Sequence, residues 1–185
     1  MRFILHYRGP LKSNGSPSHK HELRRHFHQQ LDMLWSQKPL DELSFWIQAG
    51  GSGDHYNFLR PMTPFVFAPL ITEEADAVAE LDITLLRPEP PGGLISRGGD
   101  IDNRLKTLFD ALAMPPHPSA LPHDVMPAAG EDPLFCLLED DNLVISVSVR
   151  TEQLLEPVAD PATIEVYIAV QTRVTRVTMD NDVFA

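Results

Sequence analysis

At 185 residues, with 43% hydrophobic and 22% charged side chains, the chain carries enough apolar material for one sizeable core and reads as a single globular domain. No apolar run approaches the roughly 20 residues needed to cross a bilayer, and Met1 to Arg8 is too short and too soon interrupted for a secretory leader. One cysteine permits no internal disulfide, so a cytoplasmic location is expected; a net charge of −11 at first argues against a DNA-binding protein.

In chain order, Phe3 to Tyr7 reads as a short strand, followed by a loop marked by Gly9-Pro10 and Asn14-Gly15-Ser16-Pro17-Ser18. From His19 to about Ser36, Leu23, Phe27, Leu31, Leu34 and Trp35 recur at helical spacing, with Ser18 as the expected cap. The other face of this helix carries Lys20, Arg24 and His28, a basic surface suited to a DNA backbone or simply to water. His19, His21, His26 and His28 lack the i, i+4 spacing of a helical zinc pair in an H-E-x-x-H motif and are read as surface residues. Ser44 to Gln48 is expected to form a strand, and Gly50 to Asp54 a turn without the lysine a phosphate-binding loop requires. Phe65 to Ile71 and Ala79 to Leu86 supply two further apolar runs; Arg87 to Gly93 is a loop.

The chemistry concentrates next. Gly98-Gly99 lead into Asp100-Ile101-Asp102-Asn103-Arg104-Leu105-Lys106, and Leu105, Leu108, Phe109 and Leu112 place the start of an amphipathic helix there. One aspartate suffices to cap a helix; two, one residue apart, crowd carboxylate oxygens that a hard cation such as magnesium or manganese would reconcile. Lys106, one turn beyond Asp102, either pairs with it or steadies negative charge at a phosphate. Asp110, a further turn along, is read as structural. A second acidic group, Glu139-Asp140-Asp141, precedes the β-branched run Leu143 to Val149 and so stands at the entry of a strand; alone it would be an ordinary solvated turn.

Between them, residues 114 to 135 hold Pro115, Pro116, Pro118, Pro122, Pro127 and Pro133, which exclude helix and central strand and predict a long loop at the rim of the substrate surface. Cys136, among Leu134, Phe135, Leu137 and Leu138, is read as a buried small hydrophobe. Thr163 to Val170 reads as a last strand and Asp180 to Ala185 as a frayed tail. The expected architecture is α/β, of the α+β type: a small mixed sheet of four to six strands with two main helices, in one domain spanning 1–185.

Asp100 to Leu112, with Leu138-Glu139-Asp140-Asp141-Asn142-Leu143-Val144, resembles the D-[LI]-D-N-x-x-K-x-x-x-D-A-L and L-x-D-D-x-x-V elements of the RusA-like endodeoxyribonucleases, which resolve Holliday junctions. By that resemblance Asp100, Asp102 and Asp141 fall on the metal-binding carboxylates, Asp140 on the neighbouring acid and Lys106 on the essential lysine. The resemblance implies a magnesium-dependent homodimer that cuts branched DNA. It covers the middle of the chain only, and the proline-rich insert departs from it. Charge distribution answers the objection from net acidity: residues 1 to 38 hold seven lysines and arginines against Glu22 and Asp32. Arg8, Lys12, Lys20 and Arg24, with Arg104 in the signature helix, are the candidate DNA contacts. The alternatives are a RusA-like module that binds nucleic acid or protein without cutting, and an α/β domain whose acids hold a structural cation.

Overall fold

A computed structural model describes residues 1–48, 56–88, 101–160 and 162–184. The α+β class and the two main helices are as expected, but the strands divide between two sheets rather than one. The first sheet has the order β1-β7-β4-β6, built from β1 (Arg2–Pro10), β4 (Ala77–Arg87), β6 (Val144–Gln153) and β7 (Thr163–Val174). The second has the order β2-β3-β5, built from β2 (Arg60–Met62), β3 (Phe65–Ile71) and β5 (Leu134–Leu138). In the first sheet β7 runs antiparallel to both neighbours and β4 parallel to β6; in the second β3 is parallel to β5.

Period-two alternation decides which way each strand faces. Leu5 and Tyr7 on β1, Leu81, Ile83 and Leu85 on β4, and Ile164, Val166, Ile168 and Val170 on β7 are all buried on one face. Against that face packs α1 (Pro17–Trp35), through Leu23, Phe27, Leu31 and Trp35. The same helix shields the outer edge of β1: the His6 amide donates to Gln30 Oε1 (2.9 Å) and the His6 carbonyl accepts from Gln30 Nε2 (2.7 Å). The cap of α1 is Ser16 rather than Ser18; its hydroxyl accepts from the His19 amide (3.3 Å), and Pro17 opens the first turn, where its missing N–H costs nothing.

Three further expectations are corrected by packing. Ser44 to Gln48 is not a strand: Leu40–Ile47 coils as 3-10 turns, because Leu40, Leu43 and Trp46 recur every third residue and so share one face. Trp46 is buried by this turn against Tyr56, Phe58 and Phe184. The tail is docked rather than frayed, with Phe184 and Asn181 both 0% exposed; Asn181 Nδ2 donates to the carbonyls of Ala75 and Arg176, each at 2.9 Å. The histidines of α1 are not all on the surface, since His19, His21 and His28 are buried.

The proline-rich insert forms only a short 3-10 turn, Pro118–Ala120, before β5 begins. Expected to stand at a rim and clear of the core, it is instead packed: Leu121 enters a second apolar cluster with Phe65, Phe67, Leu134 and Cys136. Ion pairing of Arg25 with Glu131 (2.7 Å) and a His28 Nε2 contact to the Gly130 carbonyl (3.0 Å) pin it to α1. Cys136 is the buried hydrophobe expected, and burial pushes its thiol up to about 12.

Candidate functional site

The signature helix, α2 (Ile101–Leu112), begins immediately after Asp100, which lies outside the described residues. Asp102 and Lys106 are both exposed on it. No ion pair links the two, so the helical salt bridge offered as the bland role of Lys106 is not made. A loop from α1's entry is tied to this helix. The Gly15 amide donates to Thr107 Oγ1 (2.9 Å), Thr107 in turn donates to the Asn103 carbonyl (3.0 Å), and Arg104 Nη1 donates to the Leu11 carbonyl (3.0 Å).

Gly15 has no room for a side chain: a Cβ there would stand 2.7 Å from Thr107 Cγ2 and 2.9 Å from His19 Cδ2. Gly15→Ala is therefore expected to push the loop off α2 and to cost about 1–3 kcal/mol, as overpacking does. Urea denaturation checks this; an unchanged midpoint would mean that the loop gives way freely.

The acidic group Glu139-Asp140-Asp141 follows β5 and leads into β6, as the strand reading anticipates. Its three members do different things. Glu139 is committed to Arg60 of β2 and also accepts from the Glu73 amide (3.1 Å), so it holds the two strands' ends together. Asp140 accepts from the Asn142 amide (2.9 Å), closing the turn. Asp141 is left facing Asp140 and, across the cleft, Asp110 of α2. Its carboxyl is raised above the ordinary aspartate value, first by partial burial and then by the charges of Asp140 and Asp110 and a hydrogen bond to Asp140. Since Asp141 is an exposed residue overall, the like charges are the part of that shift specific to this place.

Asp110, read as structural, makes an ion pair with Lys20 and also lines the hollow that Asp140 and Asp141 wall. The signal was present in the sequence: Asp102, Lys106 and Asp110 recur every fourth residue and share one stripe of a helix. Asp110 Oδ2 pairs with Lys20 Nζ of α1 at 2.7 Å, and both side chains stay partly open, 33% and 28% exposed. This pair sits between two hollows. The larger, about 280 Å³, is walled by Met114, Pro116, Asp140 and Asp141 among others; the smaller, about 140 Å³, by Asn14, Asn103, Lys106 and Thr107. Lys20 and Asp110 line both, so α1, α2, the insert and the β5–β6 turn enclose one groove.

The other candidate DNA contacts scatter. Arg24 is 3% exposed, and its guanidinium donates to the carbonyls of Ala113 (3.0 Å) and Asp110, the last turn of α2. It satisfies orphan carbonyls at a helix end and has no surface to offer a phosphate. Burial lowers its pKa to about 10, leaving it cationic where it complements the helix dipole. Arg104 is half-buried and turned to Leu11, while Arg8 lies on the sheet face away from the helices, paired with Glu156 (2.8 Å). The basic face expected on α1 reduces to Lys20, and Lys12 is exposed on the entry loop.

The donors fit a hard divalent cation in kind: they are carboxylate oxygens, and the crowding that raises Asp141 is what a cation relieves. Among the described residues no three His, Cys, Asp or Glu side chains are grouped closely enough to hold an ion by themselves. No helix among the described residues is long and apolar enough to cross a membrane. No family model, curated protein or solved structure matches this chain.

Proposed function

We propose that the protein is a metal-dependent endodeoxyribonuclease that cuts branched DNA such as a Holliday junction, the activity its signature resembles. The observation that carries this reading is the groove itself: Asp110, Asp140 and Asp141 are drawn from two elements into mutual repulsion, with Lys20 and Lys106 beside them. A carboxylate perturbed by burial and like charges in a cleft, as Asp141 is, marks a candidate for chemistry. In this reading Asp100, Asp102 and Asp141, with Asp140 next to them, supply oxygen ligands to magnesium or manganese. Such an ion, when bound, neutralises phosphate charge and acidifies a water. Lys106, exposed and without an ion pair among the described residues, holds the charge that gathers on the phosphate oxygens, and Lys20 guides the neighbouring phosphate into the groove.

The homodimer implied by the resemblance would suit a two-fold junction. Support for it comes from β6, which ends its sheet among the described residues and leaves Ile145 and Val147 57% and 46% exposed on an edge strand. Sedimentation at micromolar concentration is expected to give a dimer that Val147→Lys weakens. A wild-type monomer would remove this part of the reading.

The deciding experiment incubates the protein with a synthetic four-way junction. Paired nicks near the crossover are expected with magnesium or manganese, none with chelator, and none from Asp141→Asn with either metal. A wild type that binds junctions and never cuts them would make the chain a binding module instead.

A further inference from the structure

The larger hollow holds more than the proposed chemistry needs. Beyond the carboxylates it continues into a wall of Ala113, Met114, Pro115, Pro116 and Ala120, faced by Pro17 at the start of α1. This wall is fixed to the acidic turn. The Met114 amide donates to the Leu138 carbonyl (2.9 Å) and Ala113 bridges to Leu138, the last residue of β5 before Glu139-Asp140-Asp141. Whatever rests on the prolines is therefore held at a set distance from Asp141.

Resting on the nuclease reading, we infer that the cavity between the proline-rich insert and the acidic turn captures one unstacked nucleobase, whose adjoining phosphate is thereby laid against Lys20. Size, charge and surface each narrow the occupant. At about 280 Å³ the cavity falls just below the usual range of ligand pockets, about 300 to 1,000 Å³, enough for one heterocycle and too little for duplex or a folded peptide. Asp110, Glu139, Asp140 and Asp141 make the lining acidic and unfavourable to phosphate, whereas a base is neutral; of the two cations that line it, Arg24 is 3% exposed and spent on helix-end carbonyls, which leaves Lys20 to meet the backbone. Flat apolar surfaces of proline and methionine receive the face of a base without reading its sequence. Extruding a base costs free energy, least where pairing is already broken, so a branch point opened by the protein is where that cost is lowest. The consequence is that the insert, by seizing a base, selects which phosphate arrives over Lys106.

The test replaces single crossover nucleotides of a synthetic four-way junction with abasic tetrahydrofuran residues and measures binding by fluorescence anisotropy in calcium. At one position per strand pair, removing the base is expected to weaken wild-type binding about tenfold, the usual effect of losing one stacked base. Ala120→Trp, which fills the cavity from a partly exposed position, is expected to bind the intact junction more weakly and to be indifferent to the abasic substitution. Pro116→Asp, at an exposed position, should behave alike, and thermal melting shows that each variant is folded. If wild type binds junctions and tolerates every abasic replacement, or if the penalty persists undiminished in both variants, the base-capture inference falls while the nuclease reading stands. If no junction is bound at all, both fall.

Discussion

Lys106→Ala is expected to lower junction cleavage by about 10²-fold or more while leaving the urea unfolding midpoint where it is. A preorganised donor aimed at transition-state charge is worth roughly 3 to 4 kcal/mol, whereas an exposed ion pair is worth under ~1 kcal/mol. The structure sharpens the contrast, since Lys106 makes no ion pair among the described residues and its Cβ lies on an exposed helical stripe where alanine is well tolerated. Single-turnover cleavage with saturating enzyme separates this from a loss of binding. Asp102→Asn, by the same argument, should abolish cleavage and yet tighten junction binding in chelator, because it removes a negative charge that phosphate must approach. A Lys106→Ala protein that cuts at the wild-type rate would remove the lysine from the chemistry and leave it a solvated helix residue.

The parts of this fold legible in the sequence were those with an uninterrupted period. α1 and α2 followed from apolar residues at helical spacing, β1, β3, β4 and β7 from short apolar runs and β6 from a β-branched one, within a few residues at each end. What escaped was decided by partners distant in the chain. Trp46 looked like part of a strand until Phe58 and Phe184 arrived around it, and the polar tail looked frayed because one phenylalanine and one asparagine carry all of its docking. The split into two sheets was invisible for the same reason: nothing local tells β5 to pair with β3 rather than with β6.

The site divides along similar lines. Motif spacing identified Asp102, Lys106 and the Asp140-Asp141 pair, but it could not apportion Glu139, which Arg60 claims, nor reveal that Asp110 faces Asp141 across the cleft. The arginines misled most. On a helical wheel Arg24 shares a face with Lys20, and only the tertiary arrangement shows that one is sealed over the end of α2 while the other reaches the groove. A long cationic side chain reads the same in sequence whether its head meets solvent or a row of carbonyl oxygens.

His21 carries the other large expected effect, on stability rather than activity. It is buried edge-on against Phe65, its Nε2 has no hydrogen-bond partner among the described residues, and its Nδ1 lies 3.5 Å from Arg24 Nη1. Burial first, then the charges of Arg24 and Arg25, lower its pKa to about 4, with Glu131 opposing. The unfolded chain, where the imidazole titrates near 6.5, therefore binds the extra proton first, so the stability present above pH 6.5 is lost as the pH falls toward 4. At 1.36 kcal/mol per pKa unit the loss between pH 7 and pH 4.5 comes to about 2 kcal/mol from this one residue. Leucine has similar volume and forfeits little hydrogen bonding here, so His21→Leu should fold at pH 7 and unfold at a urea concentration less dependent on pH. His19, also held below its ordinary value by burial, titrates identically in both proteins and drops out of the comparison. Urea unfolding of the two at pH 7 and 4.5 measures the difference directly: parallel losses would mean that His21 accepts its proton inside the fold, and a wild-type excess of about 2 kcal/mol is the expected result.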